Sequence, residues 1–175
     1  SVPDIEIFVE PGRSVIAQAA VLLTTVQYLK SGLFERQFAI VDASMTELVR
    51  PAIYGSYHLI EPVVPNPKAR RQILNIVGPV CESTDFLGND RNLAIEAGDL
   101  LAIRTAGAYG MAMASTYNSR PLPMEVLVDH DRIIPLRRPQ TALDLTRDEE
   151  ALGLVENPGM SEEAVRSLFA ESLGM

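Results

Sequence analysis

Apolar-rich segments of four to ten residues recur along this chain, separated by Gly, Pro and polar clusters. That spacing predicts strands more often than helices. Ile5-Glu6-Ile7-Phe8-Val9 reads as a buried strand over residues 6–9. A Pro-Gly turn follows, and residues 13–20 read as one short helix. Residues 21–30, rich in Val, Thr, Leu and Tyr, read as a strand closed by Ser31-Gly32. Further strands are expected at 37–42, 73–77, 99–105, 124–128 and 132–136. The polar stretch Asp129-His130-Asp131 between the last two reads as a hairpin turn. Ser44 and Glu47 have the spacing of a capping box and predict a short helix over 44–49. Pro62, Pro65 and Pro67 mark a loop, because proline cannot donate to a ladder. Asn157-Pro158-Gly159 breaks the chain before Ser161, a helix cap for the stripe Val165, Leu168, Phe169 and Leu173.

The expected fold is mainly β, an antiparallel sandwich or barrel-like domain. Composition narrows the class. A net charge of −8 argues against a nucleic-acid partner, which needs a basic surface. No run of 18 apolar residues is present to span a membrane as a helix. Cys81 is the only cysteine and cannot close an internal disulfide, which favours a reducing, cytoplasmic setting. Ser1 stands where an initiator Met would, directly before an apolar run, and the chain reads as the C-terminal piece of a longer protein.

Three stretches concentrate the candidate chemistry. Cys81-Glu82-Ser83-Thr84-Asp85 sets the lone thiol beside a carboxylate. Glu10-Pro11-Gly12-Arg13 and Ala106-Gly107-Ala108-Tyr109-Gly110 are glycine turns after apolar runs, where backbone can approach a ligand closely. Taken alone, Cys81 reads first as an inert buried residue; Arg50 can be read as a helix-end arginine, and Tyr54 and Tyr57 as core aromatics. His58 and His130 receive no role. Cys81, His58 and His130 lack zinc spacing. Ser14 and Ser83 lack the His–Asp partners of a nucleophile.

Together these residues carry a resemblance. Glu10-Pro11-Gly12-Arg13, Ile40-Val41-Asp42, residues 48–54, residues 77–85, Ala97-Gly98-Asp99, Gly107-Ala108-Tyr109-Gly110 and Tyr117-Asn118-Ser119-Arg120-Pro121 stand in the order and spacing of the diaminopimelate decarboxylase family. The chain resembles the C-terminal part of those pyridoxal-phosphate enzymes, which are of the alanine-racemase-like type. The resemblance covers about residues 5–145 and implies the following. Residues 1–20 end a (β/α)8 barrel as its last βα unit, residues 21–150 form the C-terminal β domain, and residues 151–175 a helical tail matching no family motif.

The implied activity is decarboxylation of meso-2,6-diaminopimelate to L-lysine with pyridoxal 5'-phosphate. The implied assembly is a homodimer with sites shared between subunits. Glu10, Pro11, Gly12, Arg13 and Tyr109 match cofactor contacts. Arg13, Arg50, Tyr54, Glu82 and Tyr109 match substrate contacts, and Cys81 matches the proton donor. The residue types suit those roles. A guanidinium takes a carboxylate in bidentate fashion, a carboxylate takes an ammonium, and a free thiol, ordinarily near 8.5, holds its proton at neutral pH. The one departure is the cofactor lysine: Lys30 and Lys68 are the chain's two lysines, and neither stands in the family's barrel context. Other readings are a related amino-acid or carboxynorspermidine-type decarboxylase and a non-catalytic dimerisation or regulatory domain.

Overall fold

The computed structural model describes residues 6–150. The expected tail helix therefore lies outside the described residues. The chain divides into two compact units between Leu122 and Pro123.

The first unit is built on six strands: β1 (Leu22–Ser31), β2 (Gln37–Val41), β3 (Ile60–Pro62), β4 (Arg71–Val77), β5 (Phe86–Ala94) and β6 (Leu100–Ile103). They form one sheet in the order β3-β6-β1-β2-β4-β5. Four pairings are antiparallel. The β2–β4 pairing is parallel, with Ala39 opposite Ile76. A parallel neighbour needs a long crossover, and the residues between Val41 and Arg71 supply it, carrying helix α2 (Arg50–Tyr54) and strand β3.

The sheet curls until its two edge strands nearly meet. A Cβ placed on Gly88 of β5 would lie 2.8 Å from Ile60 Cδ1 of β3. Val26, Ala39, Val41, Leu74, Ile76, Leu87, Leu101 and Ile103 fill the interior. Alternation along β4 shows how: Leu74 and Ile76 are buried while Ile73 is half exposed. The barrel-like β expectation holds.

Several local expectations do not. Residues 6–9 pair with no described strand, and Ile7, Phe8 and Val9 are largely exposed. A strand of that length without a ladder partner has no place to bury its side chains. The helix expected over 13–20 is one α turn, α1 (Arg13–Ile16), continued by a 3-10 turn over Ala17–Ala19. Residues 44–49 make a turn. Glu47 does reach back to the Ser44 N–H at 2.7 Å, the capping-box contact, but the helix starts later, at Arg50. Pro51 explains the delay. In a helix running from 44 onward its ring would clash with the Glu47 carbonyl, whereas a first-turn proline is tolerated.

β3 and β5 escaped the sequence reading. Pro62 is acceptable because it ends an edge strand. β5 hides behind Gly88-Asn89-Asp90-Arg91-Asn92, which looks like a loop. Asp90 has a left-handed backbone (φ 51) beside register shifts, and its N–H bonds Asn75 Oδ1 at 3.2 Å.

The second unit contains the expected hairpin, β7 (Glu125–Asp129) and β8 (Arg132–Arg137), turning at His130 with φ 57. A helix, α4 (Ala142–Glu150), follows. Asp144 reaches back to the Thr141 N–H at 2.8 Å and takes both guanidinium nitrogens of Arg138 at 2.6 and 2.7 Å. Arg138 holds that carboxyl well below the usual carboxylate range.

Candidate active site

Most of the candidate site residues gather in two places within the first unit. The first is a cleft of about 310 Å³ lined by Arg13, Arg50, Ser56, His58, Thr105 and Ala108, among others. Arg50 opens α2 and is 9 % exposed, with its Nη2 3.3 Å from Ser56 Oγ. Tyr54, one helical turn later, places its ring 5.2 Å from the guanidinium carbon. The Tyr109 ring flanks the same group at 5.6 Å. A cation between two rings, largely out of water, keeps its planar fork available for a carboxylate.

Tyr109 stands just before helix α3 (Gly110–Met113). Its loop is docked on α1 and the turn after it. The Ala106 N–H bonds the Ala20 carbonyl at 3.0 Å, and the Gly107 N–H bonds the Ala17 carbonyl at 3.1 Å. Gly107 leaves no room for a side chain, because a Cβ there would overlap the Ile16 carbonyl oxygen. This docking carries Tyr109 to Gly12, where a Cβ would lie 2.6 Å from the Tyr109 hydroxyl. Gly12, Arg13 and Tyr109 are thus brought together, while Glu10 and Pro11 are exposed beside them.

His58 belongs to this cleft, although its sequence context pointed to no role. It is 3 % exposed. Its Nδ1 lies 2.9 Å from the Arg104 carbonyl, which can only accept, so Nδ1 carries the hydrogen. Nε2 is buried without a hydrogen-bond partner among the described residues.

The second place is the β4–β5 connection, residues 78–85, which presents Cys81 and Glu82 to solvent. Asp85 builds this loop from below. It is buried, and its two carboxylate oxygens accept from Met45 N at 2.7 Å and Val80 N at 2.8 Å. Burial pushes its carboxyl up; the two N–H bonds and Arg120 oppose that, while Glu47 adds to it. Gly78 has to be glycine here, since a Cβ would overlap the Asp85 carboxylate and approach Ser44 Cβ at 2.6 Å.

Tyr117 and Asn118 touch the exposed pair. The Tyr117 hydroxyl donates to Glu82 Oε1 at 2.5 Å, and the Asn118 amide donates to Cys81 Sγ at 3.5 Å. Their stretch carried part of the resemblance, but the residue types alone assigned them no contact. Arg120, two residues on, donates to the Asp42 carbonyl at 2.8 Å and Thr46 Oγ1 at 3.2 Å, and pairs with Glu47 at 3.4 Å.

Among the described residues, no hydrogen bond, ion pair or ring contact joins Cys81 and Glu82 to the arginine cleft. A larger cleft of about 450 Å³, around Tyr57 and Arg91, is lined by none of the candidate catalytic, cofactor or substrate residues. For pyridoxal phosphate, Arg13 in the cleft and the Tyr109 hydroxyl beside Gly12 offer a cation and a phenol donor, which fit the phosphate end of that group. The aldehyde end has no amine there: Lys30 and Lys68 are exposed and neither lines the cleft.

Known proteins give this geometry a family. The chain is 48 % identical over 149 residues to the diaminopimelate decarboxylase of Pseudomonas aeruginosa, covering 85 % of this chain and 35 % of that protein. It is 51 % identical over 137 residues to the Neisseria meningitidis serogroup A enzyme of the same name, covering 78 % and 33 %. The crystal structure of Helicobacter pylori diaminopimelate decarboxylase complexed with L-lysine superposes with a TM-score of 0.74 at 41 % identity, covering 81 % of this chain and 34 % of that one. The chain thus spans about a third of the length of the relatives it matches. Residues 14–107 match the family described as "Pyridoxal-dependent decarboxylase, C-terminal sheet domain", and the chain belongs to that family.

Proposed function

We propose that this chain is the C-terminal part of a pyridoxal-phosphate enzyme that decarboxylates meso-2,6-diaminopimelate to L-lysine. The observation that carries the reading is the buried Arg50 held between Tyr54 and Tyr109, with Arg13 in the same cleft. A substrate with an amino-acid group at each end needs a recognition site for the end that does not react, and a planar cation in a shielded cleft suits its carboxylate. The relatives' names and the L-lysine in the H. pylori structure support the same substrate class.

In this reading Gly12, Arg13 and Tyr109, with Glu10 and Pro11 beside them, hold the phosphate side of the cofactor. When bound, pyridoxal phosphate supplies an electron sink for the pair left when carbon dioxide departs. Glu82 holds a substrate ammonium. The Cys81 S–H then delivers its proton to the carbon that lost the carboxylate, leaving a thiolate that solvent reprotonates. An exposed thiol in this role needs a reducing, cytoplasmic setting.

The active assembly in this reading is a homodimer in which Cys81 and Glu82 of one subunit complete the arginine cleft of the other. It is supported by the absence, among the described residues, of a hydrogen bond, ion pair or ring contact between the two groups within one chain. The test uses the full-length protein. Arg13→Ala and Cys81→Ala variants, each inactive alone, are mixed under conditions that exchange subunits. Mixed dimers contain one intact site, and activity returns. Exchange without recovery means that each chain builds its own site.

A further inference from the structure

Two adjacent side chains hold two other adjacent side chains at the β4–β5 connection. Tyr117 donates to Glu82 at 2.5 Å, and Asn118 donates to Cys81 Sγ at 3.5 Å. All four residues are exposed, so burial does not fix their rotamers. The turn that carries the donors is itself unusual. Asn118 and Ser119 both have left-handed backbones, φ 59 and 56, a conformation that asparagine tolerates better than most residues. Arg120 anchors the turn through the Asp42 carbonyl, Thr46 and Glu47.

We propose that Tyr117 and Asn118 are positioning residues: Tyr117 occupies one oxygen of Glu82 and leaves the other for a ligand ammonium, and Asn118 stabilises the Cys81 sulfur after its proton has gone. The proposal rests on the roles given to Cys81 and Glu82 above. The phenol donor holds one carboxylate oxygen of Glu82 in place. The hydrogen bond to Glu82 and that group's charge together push the Tyr117 phenol up, so it stays a donor at neutral pH. The Asn118 amide N–H is aimed at the sulfur, so the charge left when the proton departs meets a donor already in place.

Cys81 is the only cysteine, so alkylation of the 175-residue chain reports on this one sulfur. The experiment measures the iodoacetamide alkylation rate against pH for the native chain and for Asn118→Gly and Asn118→Asp. Glycine keeps the left-handed backbone and removes the donor. At a fixed pH near neutrality the glycine variant should alkylate about twofold or more slowly, the weight of one lost hydrogen bond to an exposed anion. Aspartate places a like charge beside the sulfur and should slow it further. Superimposable native and glycine profiles, with unchanged circular dichroism, overturn the Asn118 assignment.

Full-length protein tests Tyr117. Tyr117→Phe should raise KM for the diamino acid several-fold with a smaller change in kcat, whereas a structural role would change melting temperature and leave the ratio alone. An unchanged KM overturns that half. Should the full-length protein decarboxylate nothing, the functional reading fails, while the alkylation profiles still decide whether Asn118 controls the thiol.

Discussion

The arginine cleft and the cysteine loop present reactive groups by opposite means. In the cleft, Arg50 is 9 % exposed and fixed by what packs on it: two tyrosine rings, Ser56, and a one-turn helix capped by Gly55. In the loop, Cys81 and Glu82 stand in solvent, fixed by two hydrogen bonds above and by buried Asp85 below. The difference follows from the tasks. Binding a carboxylate gains from a dry cation, because charges attract more strongly away from water. Proton delivery needs a thiol that can reach its target and exchange with solvent afterwards. A cleft can therefore be built by core packing, but an exposed loop has to be held by polar contacts.

The largest expected effects separate the two regions by what they abolish. In the full-length protein, Cys81→Ala should leave cofactor binding intact and lower turnover by about 100-fold or more, the usual weight of a general acid. Gly12→Val should do the reverse in order. Its side chain meets the Tyr109 hydroxyl, so cofactor retention, read from absorbance of the dialysed protein, is lost first and activity with it. A Cys81→Ala protein that loses cofactor, or a Gly12→Val protein that keeps it, would merge the regions into one.

That contrast also explains what could be read from sequence. Arg13, Arg50, Tyr54, Cys81, Glu82 and Tyr109 are recognisable because they stand in spaced motifs. Tyr117, Asn118, Asp85 and His58 acquire their meaning from partners 35 to 47 residues away. Local rules misled in a matching pair. Ser44-x-x-Glu47 forms its reach-back contact without a helix, because Pro51 prevents a continuous one and the turn's polar atoms serve Asp85 and Arg120. Thr141-x-x-Asp144 forms the same contact and does open a helix. β5 was invisible for a related reason. Its glycine and polar residues read as a loop, and only pairing with β4 across two register shifts makes it a strand.

Asp85→Asn probes the support under the loop. Asparagine offers one acceptor where Met45 N and Val80 N need two, and it points an NH₂ at one of them. The expected cost is about 1–3 kcal/mol at neutral pH, measured by denaturant unfolding of the 175-residue chain. The pH dependence has a definite sign. The Asp85 carboxyl is raised above its ordinary 3.8, so between the unfolded and folded values the native state binds more protons than the unfolded one. Native stability from this group is fully present below 3.8 and declines as pH rises through the folded value. The asparagine variant lacks that decline, so its deficit relative to the native chain should shrink from pH 4 toward pH 7. A deficit that grows over that range would mean the charged form of Asp85 is the favoured one.

The smallest expected effect sharpens the cleft side. Arg50→Lys keeps the positive charge and removes the planar fork that lies against Tyr54 and Tyr109. A lysine ammonium is compact and strongly hydrated, so it stacks less well between rings and takes a carboxylate through one point of contact. Because Arg50 is nearly buried, the lysine head also gives up water without a bidentate partner in return. We expect a loss of about 0.5–1 kcal/mol in the unfolding free energy of the chain, the weight of the ring contacts. The ligand effect should be larger than the stability effect. In the full-length protein KM for the diamino acid should rise, while in the 175-residue chain the alkylation profile of Cys81 should stay where it is, since among the described residues no hydrogen bond, ion pair or ring contact links Arg50 to that loop. A shifted Cys81 profile in Arg50→Lys would show that the cleft and the loop are coupled through the fold.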